Sequence, residues 1–341
     1  MPGGGFCAGS KKDIDAGPGR HDRTGRQKKY RFNGENMRIG VIGTGVMGSN
    51  HLRVLGQLPQ WRITCAADVN PENLEKNCRG LEIIKLADYR QALEHVDAVM
   101  ISTPTLEHYP ICRFFLENGK HVLVEKPISK TLAEADQMIA LAEQKQLVLA
   151  VGHLERFNPA VEYAGRLVEK PRFIEIQRLG SFSPRSLDID VIMDLMIHDL
   201  DIILQWDRSG VREVRASGVP IISKKIDIAN VRLEFHSGLV ANLTASRVSQ
   251  EKTRKLRIFQ NNLYISVDYK KRSVKMFQLR DGQILEDIPQ IDDVEPLYNL
   301  WQNFYKTVAG AGNFNVSGHD GRAALQLALS ILDRLQAVLD A

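Results

Sequence analysis

The sequence predicts an α/β fold in two parts: a doubly wound parallel sheet, then an α+β part with a large, open, mostly antiparallel sheet. From residue 37 to about residue 151, apolar strand-like runs alternate with helical segments, which is typical of βαβ units. Beyond Gly152, strand-like stretches follow one another, and several are separated by turn sequences such as Asp281-Gly282. That pattern is typical of antiparallel hairpins.

The parallel sheet is predicted from five runs that are apolar at nearly every position, as buried parallel strands are. These runs cover residues 37–42, 62–68, 98–103, 121–125 and 147–151. Helices are predicted between them, over residues 49–58, 72–79, 89–94, 107–118 and 132–144. The last helix follows a capping-box sequence, in which Thr131 precedes Glu134 by three positions.

The second part is predicted to begin with a helix that Asn158-Pro159 caps and that runs to about residue 169. A strand over residues 172–179 and a largely apolar helix over residues 191–206 follow. Further strands are predicted over residues 214–222, 228–235, 239–248, 255–259, 263–269 and 273–279, and helices over 295–308 and 319–339. An open sheet of this size needs a cover, which favours a homodimer or a homotetramer.

A glycine-rich motif joins the first predicted strand to the first helix, and its sequence is Gly43-Thr44-Gly45-Val46-Met47-Gly48. In this context the first glycine permits a tight turn, the second lets the backbone approach a pyrophosphate, and the third lets helix and strand pack closely. Unpaired N–H groups at the helix start would bind the phosphates. We therefore predict a Rossmann dinucleotide-binding domain over residues 37–152. We predict that residues 153–341 form an α+β domain that binds substrate and mediates oligomerisation, and that its last helix can pack back on the first domain.

Asp68 ends the next apolar run, about twenty residues after the glycine motif. A carboxylate at this position accepts hydrogen bonds from the adenosine ribose and repels a 2′-phosphate. Val69 and Asn70 follow it, with no Arg or Lys to bind that phosphate. NAD is therefore predicted as the cofactor in preference to NADP. The other expected cofactor contacts are Ser102, Thr103, Pro104 and His108.

Composition and charge bound the class of protein. The 341 residues are 43% hydrophobic and 25% charged, which is ordinary for a soluble globular chain of two domains. The net charge of +4 lies in residues 1–36, where eight Lys and Arg face four Asp and Glu. We expect residues 1–36 to be a disordered basic extension, or to reflect a start codon assigned too far upstream. A nucleic-acid-binding arm is the less favoured alternative.

Membrane insertion, secretion and metal binding find no support in the sequence. No apolar stretch approaches the length of a bilayer-spanning helix, and no signal-peptide pattern is found. The four cysteines lack the spacing of disulfide pairs or metal ligands. We therefore expect a cytoplasmic protein that has no metal site and acts on a small molecule rather than on a membrane or nucleic acid.

Lys126 is the first candidate for chemistry, within Glu125-Lys126-Pro127 at the carboxyl end of a predicted strand. Ligands of open α/β sheets bind outside these strand ends, so an ammonium here points to the nicotinamide end of the cofactor crevice. It can hydrogen-bond a substrate hydroxyl and a developing alkoxide. The alternative is a surface lysine before a turn proline.

The second candidate is the helix over residues 191–206. Asp194, His198 and Asp201 are spaced to share one face of this largely apolar helix. Charged groups in such a helix are costly unless they are paired or functional. An imidazole beside a carboxylate suits a general base for a secondary alcohol. A structural His–Asp pair is an equal alternative.

With these three motifs, the chain resembles the Gfo/Idh/MocA family of oxidoreductases from about residue 37 to its C-terminus. The resemblance implies that Lys126 and His198 contact the hydroxyl that is oxidised, with His198 as the base. It also implies that Asp194 positions the substrate and that Glu125 borders the nicotinamide ribose. Family members often carry a glycine pair before this Asp, where the present chain has Asp-Val-Ile-Met at residues 190–193.

Residues 152–159 resemble a subgroup that acts on sugar nucleotides, the UDP-N-acetylglucosamine 3-dehydrogenases. This implies oxidation at C3 of UDP-N-acetylglucosamine, with Arg156 and Asn158 as substrate contacts, because an Arg can pair with a diphosphate. Alternatively, Arg156 is structural and Asn158 only caps a helix. Basic groups at residues 252–255 and 270–272 are further candidates for the diphosphate, or are solvated sheet edges.

Other activities stay open from the sequence. One is an inositol or free-sugar dehydrogenase, and another is a glycosidase that oxidises C3 transiently with bound NAD. A third is a non-catalytic NAD-binding regulator. The presence of Lys126, Asp194 and His198 together disfavours the regulator, because a sensor has no chemical need for all three.

Overall fold

Two β-sheets organise the chain in the computed structural model, which describes residues 36–182 and 189–339. The strands of the first sheet are β1 (Met37–Ile42), β2 (Trp61–Ala67), β3 (Ile84–Leu86), β4 (Ala98–Ile101), β5 (His121–Val124) and β6 (Leu149–Val151). All pair in parallel, in the order β3-β2-β1-β4-β5-β6. This is the doubly wound dinucleotide-binding order, whose direction reverses between β1 and β4. The predicted fold class is confirmed.

Four α-helices connect these strands: α1 (Val46–Leu55), α2 (Pro71–Asn77), α3 (Thr105–Glu117) and α4 (Leu132–Lys145). Their N-termini follow the carboxyl ends of the strands, where ligands of this fold bind. The predicted capping box of α4 is confirmed, since Thr131 Oγ1 accepts from Glu134 N and the Glu134 carboxylate accepts from Thr131 N. A 3₁₀ turn, Tyr89–His95, replaces the helix predicted over residues 89–94.

The second sheet has eight strands within the described residues. They are β7 (Phe173–Leu179), β8 (Val211–Val219), β9 (Ile228–Phe235), β10 (Val240–Ser246), β11 (Thr253–Gln260), β12 (Leu263–Asp268), β13 (Ser273–Arg280) and β14 (Gln283–Asp287). Their order is β14-β13-β12-β11-β7-β10-β9-β8, and all neighbours are antiparallel except β7 and β10. The predicted open, mostly antiparallel sheet is confirmed.

Helices cover one face of this second sheet. They are α5 (Pro159–Gly165), α6 (Ile197–Trp206) and α8 (Gly318–Leu339), and their apolar residues share a core with inward-facing residues such as Ile176, Leu243 and Ile258. The helix predicted over residues 191–206 differs in its first turn. Residues Ile192–Met196 form a π-helical turn, and the α-helix begins only at Ile197. Such turns often occur at functional sites, and this one carries Asp194.

Helix α7 (Pro296–Val308) returns to the first sheet. Its side chains Leu300, Trp301 and Phe304 are buried in the core of the parallel sheet, where Trp301 packs edge-on against Trp61. Helix α8 contributes Leu325 to the first core and Ile331 to the second. The division of the chain at residue 152 therefore stays a prediction about folding units, because the end of the chain packs against both sheets.

Two short edge strands, β3 and β14, were not predicted. β14 lies exposed along all its residues, and β3 buries only Leu86. Neither has the apolar pattern from which a strand is inferred. Each is a strand because its backbone hydrogen-bonds to one neighbouring strand, which its own sequence does not indicate. The stretch predicted as a basic extension lies outside the described residues up to residue 35. None of the helices in residues 36–339 that the structure describes is long and apolar enough to cross a membrane.

Candidate active site

The loop between β1 and α1 requires glycine at two positions. Gly43 has a φ of +86°, and a Cβ there would lie 2.7 Å from the carbonyl oxygen of Ser102. At Gly48 a Cβ would lie 1.9 Å from the Gly43 carbonyl oxygen, so only glycine lets α1 approach its own entry loop. Gly45 is different, because no atom lies within 4 Å of the place a Cβ would occupy. The open space beside Gly45 suits the close approach of a pyrophosphate.

A cleft of about 630 Å³ lies next to this loop. Its walls come from the carboxyl ends of β1, β2 and β4 and include Gly43, Gly45, Asp68, Ser102, Thr103 and Pro104. Helix α1 has Gly45 as its N-cap, so it lacks a side-chain cap, and its first turn has no acidic residue. Its free N–H groups and the positive end of its dipole therefore favour an anion such as a pyrophosphate. The residues present fit a bound dinucleotide.

Asp68 closes one end of the cleft. One carboxylate oxygen, Oδ2, accepts from the backbone N–H of Thr44 (2.7 Å) and from its hydroxyl (3.0 Å), while Oδ1 accepts from Asn70 N (2.8 Å). These contacts hold the half-buried carboxylate across the glycine loop. Among the described residues no Lys or Arg lines the cleft, and Glu107 adds a second carboxylate to its wall.

The expected contacts after β4 divide into two groups. Ser102 donates its hydroxyl to the Gly43 carbonyl oxygen (2.7 Å), and the Thr103 hydroxyl is buried with no partner among the described residues. Both line the cleft together with Pro104. His108 does not line it, because its ring is buried between the carbonyl oxygens of Pro127 (2.9 Å) and Thr103 (3.0 Å). His108 holds two strand-end loops together, and the expectation of a direct cofactor contact needs correction.

Within the glycine motif the side chains point in different directions. Thr44 is fully buried, whereas Val46 is 55% and Met47 is 37% exposed at the start of α1. Exposed apolar side chains beside a cleft are available to pack against a ligand. Val46 and Met47 therefore stay candidates for cofactor contacts, and Thr44 acts through the Asp68 carboxylate.

Glu125 is held by a chain of buried groups. The Trp301 indole N–H, which can only donate, reaches Nδ1 of His51 (3.1 Å), so the His51 proton resides on Nε2. That Nε2–H donates to Glu125 Oε1 (3.0 Å). Burial raises the pKa of the Glu125 carboxyl, but the His51 hydrogen bond and the Lys126 ammonium outweigh it and leave that pKa below its usual value. Glu125 is a carboxylate at neutral pH.

Lys126 joins the end of β5 to the π-helical turn. Its ammonium donates to the Asp194 carbonyl oxygen at 2.5 Å and lies 3.3 Å from the Asp194 carboxylate. The lysine side chain is 17% exposed and the aspartate side chain 28%, so both remain within reach of a ligand. The ordinary alternative, a surface lysine before a turn, does not describe a largely buried ammonium in an ion pair.

His198 lies on α6, one turn after Asp194. Its Nδ1 is buried without a hydrogen-bond partner in the described part of the chain, and its ring packs edge-on against His153 with ring centroids 5.8 Å apart. Burial lowers the pKa of His198 well below its ordinary value, and the nearby cations of Lys126 and Arg178 act in the same direction. The imidazole is therefore neutral at neutral pH and able to accept a proton.

Asp201 is not available to a ligand, although the sequence placed it with Asp194 and His198. Both of its carboxylate oxygens accept from the Arg156 guanidinium, at 2.7 and 2.8 Å, and the pair is almost fully buried. The structure thus brings Lys126, Asp194 and His198 together and assigns Asp201 to an internal ion pair.

Arg156 and Asn158, expected as substrate contacts, satisfy the structural alternative instead. The Arg156 guanidinium is only 3% exposed and also donates to the Asn315 carbonyl oxygen (3.0 Å). Asn158 caps α5 by accepting from Ala160 N, and its amide donates to the Tyr269 carbonyl oxygen (3.0 Å). Because their polar atoms bind the protein itself, we withdraw both residues as diphosphate contacts.

Several residues of the site were not found from the sequence. Gly152 leaves room for the Glu125 carboxylate, which would lie 3.2 Å from a Cβ at that position. Next to His198 in the sequence, Asp199 receives two hydrogen bonds from Arg178 (2.7 and 2.8 Å), and Arg178 also donates to Glu155 (2.9 Å). His51 and His153 are the other two residues that the sequence analysis did not identify. The resemblance of residues 152–159 to a known subgroup included His153 but assigned no role to its imidazole.

Known proteins resemble this chain over most of its length. Residues 37–153 match the family described as "Oxidoreductase family, NAD-binding Rossmann fold". The UDP-N-acetylglucosamine 3-dehydrogenase of Acidithiobacillus ferrooxidans is 36% identical, covering 89% of this chain and 99% of that protein. Its solved structure superposes with a TM-score of 0.84 and 35% identity over the same shares. The myo-inositol 2-dehydrogenase of Thermotoga maritima is 30% identical over 62% of this chain and 69% of its own length.

Proposed function

The chain belongs to the Gfo/Idh/MocA family of NAD-binding oxidoreductases, and we propose that it oxidises the C3 hydroxyl of UDP-N-acetylglucosamine or a close nucleotide sugar. One observation carries the proposal: the partly exposed ammonium that follows β5 pairs with Asp194 and lies close enough to the neutral imidazole of His198 to lower its pKa, in a chain similar over 89% of its length to a UDP-N-acetylglucosamine 3-dehydrogenase. The family makes the protein a dehydrogenase acting on CH–OH groups. The identity of the alcohol is the proposed part.

In this mechanism one side chain accepts the substrate proton and another stabilises the negative charge that develops on the substrate oxygen. His198, neutral at neutral pH, accepts the hydroxyl proton at Nε2, because its Nδ1 is buried. The Lys126 ammonium donates to the same hydroxyl oxygen and stabilises it as it becomes an alkoxide. NAD⁺, when bound, supplies the chemistry by accepting the hydride from the carbinol carbon.

Asp194 and Glu125 orient these groups. The Asp194 carbonyl and carboxylate hold the Lys126 ammonium, and 28% of the Asp194 side chain remains exposed for a substrate hydroxyl. Glu125 is fixed by His51 on one oxygen and by the Lys126 backbone N–H on the other (3.2 Å). A carboxylate so placed suits the border of the nicotinamide ribose.

NAD in preference to NADP is supported by the cleft wall, to which the described part of the chain contributes the carboxylates of Asp68 and Glu107 but no Lys or Arg. We expect Asp68→Asn to keep the hydrogen bonds from Thr44 while removing the negative charge that repels a 2′-phosphate. The preference for NADH over NADPH, measured by calorimetric titration, should fall about tenfold or more. Glu72→Gln, an exposed carboxylate on α2, is the matched control. An unchanged preference would remove Asp68 as the selecting residue.

Arg254 replaces Arg156 in our proposal as the residue that binds the diphosphate. On β11 it lies directly opposite Arg178 of β7, so both side chains project from the same face of the sheet. Arg178 is neutralised by Asp199 and Glu155, whereas Arg254 is exposed and has no ion pair within the described residues. Arg254 is therefore the cation of this pair that is available to an anionic ligand, and its charge acts on His198, whose pKa it lowers.

We expect Arg254→Ala to raise KM for UDP-N-acetylglucosamine about tenfold or more, because a charge-assisted hydrogen bond contributes about 1.5–3 kcal/mol. The turnover number should change far less, since the reacting groups stay in place. Steady-state kinetics separate the two constants. Lys255→Ala is the control, because this neighbouring exposed lysine projects from the opposite face of the same strand. Equal effects of the two substitutions would contradict the assignment.

The substrate itself is tested with purified protein, NAD⁺ and a panel of alcohols. We expect NADH to form with UDP-N-acetylglucosamine and the sugar product to lose two hydrogen atoms by mass spectrometry. Myo-inositol is the second candidate, since an inositol dehydrogenase is among the relatives. Turnover of inositol or a free sugar alone would overturn the nucleotide-sugar proposal. Release of a reducing sugar without net NADH would indicate the glycosidase alternative.

A homodimer or homotetramer is supported by the uncovered face of the second sheet. Phe173, Phe259, Tyr264 and Phe277 lie side by side on four adjacent strands, with ring centroids 4.9–5.9 Å apart. Phe259 is 37% exposed, and an exposed row of aromatic side chains favours burial against a second apolar surface. We propose that a second copy covers this face, and light scattering coupled to gel filtration should give the mass of a dimer or a tetramer.

A further inference from the structure

Three buried ring nitrogens next to the proposed catalytic groups have no hydrogen-bond partner within the described residues. They are Nδ1 and Nε2 of His153 and Nδ1 of His198. A neutral imidazole carries one donor and one acceptor, and leaving either unsatisfied in the interior lowers the stability of the fold. Buried polar groups of folded proteins are otherwise almost always paired, with protein or with ordered water. This cluster therefore needs an explanation.

The position of His153 is well defined. The residue is 0% exposed and is separated from β6 only by Gly152, and its backbone N–H donates to the Val151 carbonyl oxygen (2.9 Å). Its ring meets the ring of His198 edge-on, at an interplanar angle of 86°. The charged groups that act on the two imidazoles come from several elements and are Glu125, Lys126, Arg156, Arg178, Asp201 and Arg254.

The role proposed for His198 imposes a tautomer. If Nε2 is to accept a proton from the substrate, the ring proton of the neutral form must reside on Nδ1. In many enzymes a carboxylate accepts from that N–H and fixes the tautomer. Here the carboxylates of Asp199 and Asp201 are bound by Arg178 and Arg156. The ring that contacts His198 is the imidazole of His153.

We propose that His153 is the positioning residue of the base: one of its ring nitrogens accepts, through one buried water, the hydrogen bond from Nδ1–H of His198. The inference rests on the proposed role of His198. During oxidation the substrate O–H bond breaks and an N–H bond forms at His198 Nε2, and the hydride leaves with the cofactor. His153 itself gains no proton, because it only accepts the hydrogen bond of the imidazolium.

A neutral acceptor has a consequence that a carboxylate would not have. A carboxylate stabilises the imidazolium and raises the pKa of the histidine, whereas a neutral imidazole behind a water does so much less. Burial lowers the pKa of His153 itself, which keeps that ring uncharged. His198 is thereby held in the productive tautomer while it remains neutral into the acidic range.

The test begins with the unchanged full-length protein, labelled with ¹⁵N-histidine and free of substrate. Long-range ¹H–¹⁵N spectra should show His198 as the Nδ1–H tautomer, with His198→Gln providing the assignment. In His153→Phe, which removes the acceptor, the spectra should show the Nε2–H tautomer or a mixture. His153→Gln restores an acceptor and should recover the Nδ1–H form.

Kinetics give the second measurement. For hydroxyl oxidation, kcat/KM of His153→Phe should fall about tenfold or more, and His153→Gln should recover most of it, while NADH affinity stays within about twofold in both. An Nε2–H tautomer in the unchanged protein overturns the inference without any variant, and so does an unaltered tautomer in His153→Phe. Absence of activity on nucleotide sugars beside the expected tautomers would instead overturn the proposed function alone.

Discussion

Replacing Lys126 by alanine is expected to lower kcat/KM for alcohol oxidation by about two to four orders of magnitude, with NADH affinity nearly unchanged. The ammonium stabilises charge that develops on the substrate oxygen, and its hydrogen bonds in the structure go to Asp194 rather than to the glycine loop. Formation of NADH, followed by its absorbance, measures the loss. Calorimetric titration with NADH measures binding.

Lys130→Ala is the matched control, because this exposed lysine lies four residues further along the same loop. Its kcat/KM should stay at the level of the unchanged protein. His198→Ala should match the loss seen in Lys126→Ala, since removal of either group leaves the same proton transfer unsupported. Full turnover in both variants would remove Lys126 and His198 from the mechanism.

The same arrangement predicts the direction of the pH dependence. Protonated His198 cannot accept the substrate proton, so kcat/KM should rise with pH through the pKa of this imidazole. Burial and the cations of Lys126 and Arg178 lower that pKa, and the acid limb of the profile should therefore lie below the ordinary histidine value of about 6.5. An acid limb above that value would contradict a buried neutral base.

Asp201→Ala is expected to cause the largest loss of stability, lowering the free energy of unfolding by about 3–5 kcal/mol. The substitution leaves the Arg156 guanidinium buried beside an apolar side chain, with its bidentate partner removed. Urea unfolding followed by tryptophan fluorescence measures the change. Trp301, buried against the first sheet, reports directly on the packed core.

The double variant Arg156→Met with Asp201→Leu separates a structural ion pair from a ligand site. Replacing both charges by apolar groups of similar size should cost far less stability than Asp201→Ala alone, because no buried guanidinium loses its bidentate partner. Asp320, which lies 3.5 Å from Arg156, keeps its hydrogen bonds from Ser317. Its KM for UDP-N-acetylglucosamine should stay within about threefold of the unchanged protein. A large rise in KM in this variant would indicate that Arg156 contacts the substrate after all.

Much of the fold and part of the site followed from the sequence. The glycine motif, the apolar strands and the capping box of α4 are local patterns, and each is decided by residues a few positions apart. Glu125 and Lys126 could be placed near the cofactor because strand ends in a parallel sheet meet at one edge. His108 shows the limit, since proximity to that edge did not reveal that its ring is buried between the carbonyl oxygens of Thr103 and Pro127.

What the sequence determined by itself was the class of fold, the dinucleotide loop and the segments that carry reactive groups. Only the tertiary structure decided which of these groups are paired. Arg156 meets Asp201 from 45 residues away, the π-helical turn aims the Asp194 carbonyl at Lys126, and strand register sets Arg254 opposite Arg178. The hydrophobic periodicity of a sequence indicates which residues are buried, but not which residues from other segments they contact. A charged side chain's role depends on the partner that long-range packing brings to it.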